Sequence, residues 1–173
     1  MRLILVRHPK PVCEPGLCYG RLDLECEPDA LLHAVEALSP LAAGFSIVSS
    51  PARRAAALAE RLSNSVFLEP RLQELEFGEW EGRRWSDLGR EAIDHWRLGL
   101  PDCGPPGGES LSQMAARCST WLQDIAAQNK DVLAVTHAGP IRVIQSLIAN
   151  EPLLKFFDSK VPFAQPIGIS LSR

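Results

Sequence analysis

Short aliphatic runs alternate along this chain with longer stretches in which apolar positions recur every three or four residues. Runs of the first kind suit strands buried on both faces, and the second pattern suits amphipathic helices. Strands are predicted over Leu3–Val6, Phe45–Val48, Val66–Leu68, Val132–Val135 and Ile167–Leu171. A helix starts at Pro28, with Leu31, Ala34, Val35 and Leu38 on one face, and closes around Pro40 and Gly44. Ser50 and Pro51 read as the N-cap and first-turn pair of a helix running to about Leu62, with Ala52, Ala55, Ala56, Ala59 and Leu62 turned inward. Residues 71–84 read as irregular, Trp85–Leu98 as a helix, and the proline and glycine cluster over 101–108 as a loop. Ser110 with Gln113 forms a capping box for a helix whose Leu111, Met114, Cys118, Trp121 and Ile125 share a face. Ala138, Gly139 and Pro140 lead a last helix through Ile148. Strands alternating with helices predict a three-layer α/β/α sandwich around a mostly parallel sheet.

Size and charge narrow the function. With 173 residues the chain suits one domain spanning 1–173 and is short for two. A formal net charge of -3 disfavours nucleic acid as the partner. No apolar run reaches the ~18 residues of a membrane span, and the N-terminus enters a strand without the pattern of a signal peptide. Five cysteines, Cys13, Cys18, Cys26, Cys103 and Cys118, form an odd set without CxxC, which fits a reducing compartment and makes the cytoplasm the expected location. Cys13, Cys18, Cys26 and His33 are not spaced like a zinc site, so no metal is expected.

Three predicted strands stop on reactive groups: Arg7 and His8 after the first, Ser49, Ser50 and then Arg54 after the second, Thr136 and His137 after the fourth. In a parallel sheet these tips share one edge, which is where open α/β sheets bind ligands. Arg53 and Arg54 in a first helical turn oppose the helix dipole by ~0.3–1 kcal/mol, a conflict that a bound anion removes, the alternative being a solvated helix face. His8 and His137 read as functional; His33 and His95, on predicted helices, read as surface or packing residues. A neutral imidazole is a competent nucleophile and arginine forks match phosphoryl oxygens. The leaving oxygen then needs a proton, for which Glu74, Glu76, Glu79 and Glu81 in the stretch LQELEFGEWEG are the candidates. A carboxyl held among apolar neighbours such as Phe77 and Trp80 would be suited to general-acid work, and composition does not choose between the four.

Taken together, these motifs resemble the histidine phosphatase superfamily, the phosphoglycerate-mutase-like group, over nearly the full chain. The matching residues are Arg7–His8; Ser49, Ser50, Pro51, Arg54 and Ala55; Leu72, Glu74, Phe77, Gly78, Trp80, Glu81 and Gly82; Gly107 to Ser110; and Thr136, His137 and Ala138. The resemblance implies that His8 takes the phosphoryl group as a phosphohistidine. It implies that Arg7, Arg54, His137 and Ala138 contact the phosphoryl oxygens, and that Glu74 serves as acid and then base, with no metal or cofactor. The segment Cys18, Tyr19, Gly20, Arg21 and Asp23 is similar to small phosphatases related to α-ribazole-5'-phosphate phosphatase of cobalamin nucleotide-loop assembly, which would set Tyr19 and Arg21 on the leaving-group side. Pro9 departs from the family's glycine, and Pro11 and Glu14 from its threonine and asparagine.

The expected function is therefore hydrolysis of a small phosphorylated metabolite. Mutase-type phosphoryl transfer and a non-catalytic phosphoryl-binding module are the alternatives. Neither nucleic acid nor membrane is expected as a partner; the oligomeric state is open, a homodimer being the form considered.

Overall fold

The computed structural model describes residues 1–170. Along strand β1 (Arg2–Arg7) successive side chains alternate between two cores, as a strand covered on both faces requires. Leu3 and Leu5 join one core, and Val6 the other. Strand β2 (Ser46–Ser49), β3 (Val66–Leu68) and β4 (Val132–Thr136) complete a parallel set with β1, and β5 (Pro166–Ser170) pairs antiparallel along the outer side of β1. The order across the sheet is β3-β2-β4-β1-β5.

Helices α1 (Pro28–Ala42) and α2 (Arg53–Leu62) cover one face, where Leu31, Leu38, Ala55, Leu58 and Ala59 pack on Ile47, Leu133 and Val135. Alanines at 55, 56 and 59 are buried and let α2 lie close to the sheet. The other face is covered by α3 (Arg90–Leu98), α4 (Leu111–Gln128) and α5 (Ala138–Ala149), with Trp96, Met114, Trp121, Ile141 and Ile144 packed on Leu3, Leu5 and Ala134. Each fully buried aliphatic side chain of this set contributes roughly 1.5–3 kcal/mol. The result is the three-layer α/β/α sandwich that the alternating pattern implies.

The position of β4 between β1 and β2 builds the site. Arg7 lies opposite Thr136 and Ser49 opposite Val135, so the three strands end at one level. One bond beyond the ladder on each side extends the alignment, from the His8 amide to the Thr136 carbonyl (2.8 Å) and from the Ser50 amide to the Val135 carbonyl (2.9 Å). The chain leaves β1 toward α1 on one face and leaves β4 into α5 on the other, so a crevice opens between their carboxyl ends.

The structure corrects several expected boundaries. Pro40 lies inside α1, which continues to Ala42; its missing N–H removes one i→i−4 bond, and the helix ends two residues beyond it. Helix α2 starts at Arg53 behind Ala52, which has no capping side chain; the Ser50 hydroxyl bonds His137 and takes only a long bond from the Ala52 amide (3.4 Å), while the Asp23 carboxylate accepts from the Arg53 amide (2.8 Å). The predicted helix over Trp85–Leu98 is broken: Trp85–Asp87 form a 3₁₀ turn and α3 begins only at Arg90. Gly89, at φ 78°, takes a backbone conformation that helical continuation excludes. Leu171, the last residue of the predicted final strand, lies outside the described residues, and β5 is set over Pro166–Ser170. No helix among the described residues is long and apolar enough to cross a membrane.

The capping box of α4 forms as predicted, with the Ser110 hydroxyl accepting from the Gln113 amide (3.2 Å) and the Gln113 side chain accepting from the Ser110 amide (2.8 Å). Ser110→Ala is expected to lower stability by about 1 kcal/mol. In thermal unfolding this should read as a drop in Tm of roughly 2–4 °C for a chain of this size, and an unchanged Tm would mean that the cap contributes nothing.

Candidate active site

His8 follows β1 and is 1% exposed. Its Nδ1 lies 2.7 Å from the Pro9 carbonyl oxygen. A carbonyl can only accept, so Nδ1 carries the proton and Nε2 presents its lone pair. Burial, then the Arg54 guanidinium, hold His8 down at about 3, opposed by the Pro9 hydrogen bond. The ring is thus neutral at physiological pH and the free nitrogen is nucleophilic. The group used at position 9 is a carbonyl, which a proline supplies as fully as any other residue.

Two guanidinium groups flank this imidazole. Arg7 donates from Nη1 to the Val161 carbonyl (2.7 Å), and its Cζ sits 3.7 Å from the centre of the Phe163 ring, which also lies 5.5 Å from the His8 ring. Arg54 is fully buried and donates from Nη1 to the Leu22 carbonyl (2.8 Å) and from Nη2 to the Gly20 carbonyl (2.5 Å). Burial works against its charge; Glu74, Tyr19, Asp23 and Glu81 favour it. Of the two neighbouring arginines only Arg54 enters the site, since Arg53 is exposed and pairs with Glu25.

His137 brings the second imidazole, with ring centroids 5.0 Å apart. Its Nε2 lies 2.8 Å from the Ser50 hydroxyl, which accepts from the Ala52 amide at 3.4 Å. Among the described residues the Ser50 proton has no hydrogen-bond acceptor other than Nε2, so the hydroxyl donates to Nε2 and the proton of His137 sits on Nδ1. Complete burial, then the charges of its neighbours, lower its affinity for a second proton well below the ordinary value. Among the described residues, the buried side-chain polar atoms without a hydrogen-bond partner are Arg7 Nε, Arg54 Nε and His137 Nδ1. All three are donors belonging to this one cluster.

Glu74 lies at the start of α5. Its carboxylate accepts from the Gly139 amide at 3.2 Å to each oxygen and from the Leu75 amide at 3.0 Å. The N-terminal end of a helix favours negative charge, and the absence of a side chain at 139 makes room for it. A Cβ there would stand 2.1 Å from Glu74 Oε1. Arg117 holds the backbone behind this carboxylate, donating to the carbonyls of Arg71 (2.5 Å) and Glu74 (3.2 Å) while paired with Glu109 through two bonds of 2.7 and 2.8 Å.

The other sequence-nominated residues divide. Tyr19 lines a cavity of about 520 Å³ together with Arg7, Glu74, Ala138 and Gly139. Arg21 lies away from it in a smaller recess of about 190 Å³ that also touches Glu74, and it pairs with Glu76 (3.1 Å) and Glu109 (3.6 Å). Glu14 is exposed and paired with Arg84. His33 and His95 lie exposed on α1 and α3. His8, Arg54 and His137 are buried and are not among the residues that line the large cavity.

Several lining residues escaped the sequence reading. Arg142 faces the cavity and donates from Nε (2.9 Å) and Nη2 (2.6 Å) to the Ser159 carbonyl. Its place one helical turn beyond Ala138 was the available signal. Phe77, Trp85, Trp96 and Phe157 form an aromatic wall, with Trp85 and Trp96 stacked at 6.3 Å. Phe77 is named in the sequence only as a neighbour of the acid, and nothing local marks Trp85, Trp96 and Phe157, which come to the cavity from separate elements through the tertiary fold.

The sequence model of the histidine phosphatase superfamily (branch 1) matches residues 3–170. This chain belongs to the histidine phosphatase superfamily. Its activity class is that of a phosphatase of this type. It is similar to "Putative phosphoserine phosphatase 2" of Hydrogenobacter thermophilus, with 32% identity over 86% of this chain and 79% of the relative. Among solved structures, a mycobacterial glucosyl-3-phosphoglycerate phosphatase in complex with VO3 superimposes with a TM-score of 0.86 at 25% identity, covering 98% of this chain and 90% of that one. The α-ribazole phosphatase of Shigella flexneri shares the fold, with a TM-score of 0.86 at 21% identity over 100% of this chain and 92% of that one.

Two histidines whose folded-state affinity for a proton is depressed make stability sensitive to acid. Below the ordinary value of 6.5 the unfolded chain binds protons that folded His8 and His137 refuse, so stability should fall as pH drops from 6.5 toward about 3. The slope should approach roughly 1.4 kcal/mol per pH unit for each histidine. Ring-proton NMR titration should find neither imidazole changing charge between pH 5 and 8. A His8 midpoint near 6.5 would contradict the electrostatics derived above.

Proposed function

We propose that the chain is a metal-independent phosphomonoesterase that hydrolyses a small phosphorylated metabolite through a phosphohistidine on His8. The observation that carries this reading is the trio of unpartnered, buried donors on Arg7, Arg54 and His137 around a neutral, correctly protonated imidazole. Buried polar groups are nearly always paired, so three from distant parts of the chain in one cluster imply an anionic ligand with several oxygens.

In this mechanism His8 Nε2 attacks phosphorus in line with the bond to the leaving oxygen, and that bond breaks as the N–P bond forms. The imidazole gains positive charge, which strengthens its Nδ1–H bond to the Pro9 carbonyl. Glu74 takes up a proton once the anionic phosphoryl group is bound beside it, transfers that proton to the leaving oxygen, and returns to the carboxylate held by the Gly139 and Leu75 amides. Water then attacks the phosphorus and gives a proton to Glu74, the N–P bond breaks, and its electron pair returns to Nε2. Arg7 and Arg54 neutralise the equatorial oxygens, with Ala138 at the start of α5 beside them, so guanidinium charge supplies the electrostatic stabilisation.

For the leaving group, the aromatic wall of the cavity suits a flat heterocycle, and Tyr19 stands on that side. This makes α-ribazole 5'-phosphate the first substrate to assay, beside phosphoserine and glucosyl-3-phosphoglycerate, which the names of similar proteins suggest. Arg21 is proposed to act from the smaller recess.

His8→Ala should abolish hydrolysis of an aryl phosphate, a loss of about 10³-fold or more in kcat. Retained turnover in that variant would overturn the assignment. Glu74→Gln should lower kcat about 10²-fold or more for alkyl phosphates and far less for p-nitrophenyl phosphate, whose leaving group needs little protonation. Equal losses on both substrates would point to another acid. Activity undiminished by EDTA completes the set; loss restored by a divalent cation would refute metal independence.

A further inference from the structure

The acid loop holds four glutamates, and the mechanism uses one. Glu76 pairs with Arg21, and Glu79 is exposed. Glu81 does something different, although it lies outside the cavity. Its Oε2 accepts from the amides of Gly20 (2.9 Å) and Leu22 (3.0 Å), and its Oε1 from those of Arg21 (2.9 Å) and Phe77 (2.9 Å). Four backbone donors thus converge on one carboxylate, three of them consecutive, the arrangement of an anion nest.

On its opposite side one of these peptide groups holds Arg54. The Gly20 carbonyl, which accepts from Arg54 Nη2, belongs to the same peptide plane as the Arg21 amide, which donates to Glu81. One planar amide therefore stands between the carboxylate and the guanidinium, its N–H toward the negative group and its C=O toward the positive one. The Leu22 carbonyl takes Nη1, which fixes the second arm of the fork. Of the five N–H groups of Arg54, these contacts use two and leave Nε and one hydrogen on each terminal nitrogen for a ligand. The approach is too close for a side chain at position 20, where a Cβ would stand 1.9 Å from the Leu75 carbonyl and 2.8 Å from Glu81 Oε1.

We infer that Glu81 is a positioning residue for phosphoryl binding: through the 20–22 backbone it orients the Arg54 guanidinium and balances its buried charge. The inference rests on the reading of Arg54 as a phosphoryl ligand given above. A glutamine at 81 keeps the size of the side chain but offers an amide NH₂ to two of the four backbone donors, so the strap loosens and the fork loses its fixed direction.

The test is a double-mutant cycle read by inhibition with orthovanadate and with inorganic phosphate, beside kcat and KM for p-nitrophenyl phosphate. Glu81→Gln should weaken both inhibitors at least tenfold, whereas Glu79→Gln, in the same loop, should leave them unchanged. Arg54→Ala should weaken both anions further, and adding Glu81→Gln to it should change affinity less than twofold. Glu81→Asp, which keeps the charge but draws it back, should fall between wild type and the glutamine variant, and it decides the matter if Glu81→Gln does not fold. Full inhibitor affinity in the position-81 variants, or the same factor lost with and without Arg54, overturns the inference while the phosphatase reading stands. Unchanged affinity in Arg54→Ala removes that reading and the inference with it. In the wild-type enzyme, hydrogen exchange at the Gly20, Arg21 and Leu22 amides should be slowed although they lie in a loop; exchange at the rate of an unstructured peptide overturns the strap independently of any variant.

Discussion

Parallel pairing of β1, β4 and β2 is the constraint from which the site follows. Because their hydrogen-bond ladders stop at one level, the residues just past each strand are carried to a common edge with little freedom to diverge. The continuing bonds from His8 to Thr136 and from Ser50 to Val135 hold the first residue beyond each ladder as firmly as those within it. A slip of one residue would reverse every side chain and exchange core for crevice. The apolar faces of these strands, buried against α1 and α2 on one side and α4 and α5 on the other, make such a slip costly. Catalytic geometry and core packing are thus secured by the same contacts.

That edge concentrates positive charge in a place with little water. Arg54 is fully buried, and desolvation of an unbalanced cation would cost several kcal/mol. The fold meets this partly with neutral groups: both imidazoles give up their protons, and backbone carbonyls of Gly20, Leu22 and Val161 take the guanidinium donors. The carboxylates stand further off. Glu74 is held at the head of α5, and Glu81 is separated from Arg54 by a peptide plane. This leaves the cations oriented without saturating their donors, which is the condition a phosphoryl site needs.

The loops between the elements have structural work of their own. Residues 11–27 carry no helix or regular strand, yet they are tied by the Pro11–Cys26 and Leu17–Arg84 bridges and by the Glu81 carboxylate. The acid loop is tied in turn to the Gly107–Ser110 segment through the Glu109 amide and the Arg117 ion pair. Three of the motifs in the sequence are therefore parts of one hydrogen-bonded assembly around Arg54 and Glu74. Their co-occurrence in the chain has a physical basis in this contact.

Local chemistry determined the strands, the alternation of layers and the α4 capping box, because burial on two faces and cap hydrogen bonding leave periodic traces in neighbouring residues. It also marked His8 and His137, since a polar group that ends an apolar run at a strand tip departs from the pattern on each side, and it marked the Arg53–Arg54 pair through its conflict with the helix dipole. It misplaced the cap of α2 and the start of α3, where the Ser50 hydroxyl turns to a histidine distant in sequence and Gly89 adopts a left-handed conformation. Only the folded chain decided which glutamate meets the helix terminus, which of two adjacent arginines is buried, and that Arg142, Trp85 and Trp96 wall the cavity. These choices depend on distances between segments that sequence order does not encode: one residue's difference on a helix, or two along a loop, decides whether a charged group meets solvent or a partner from another layer.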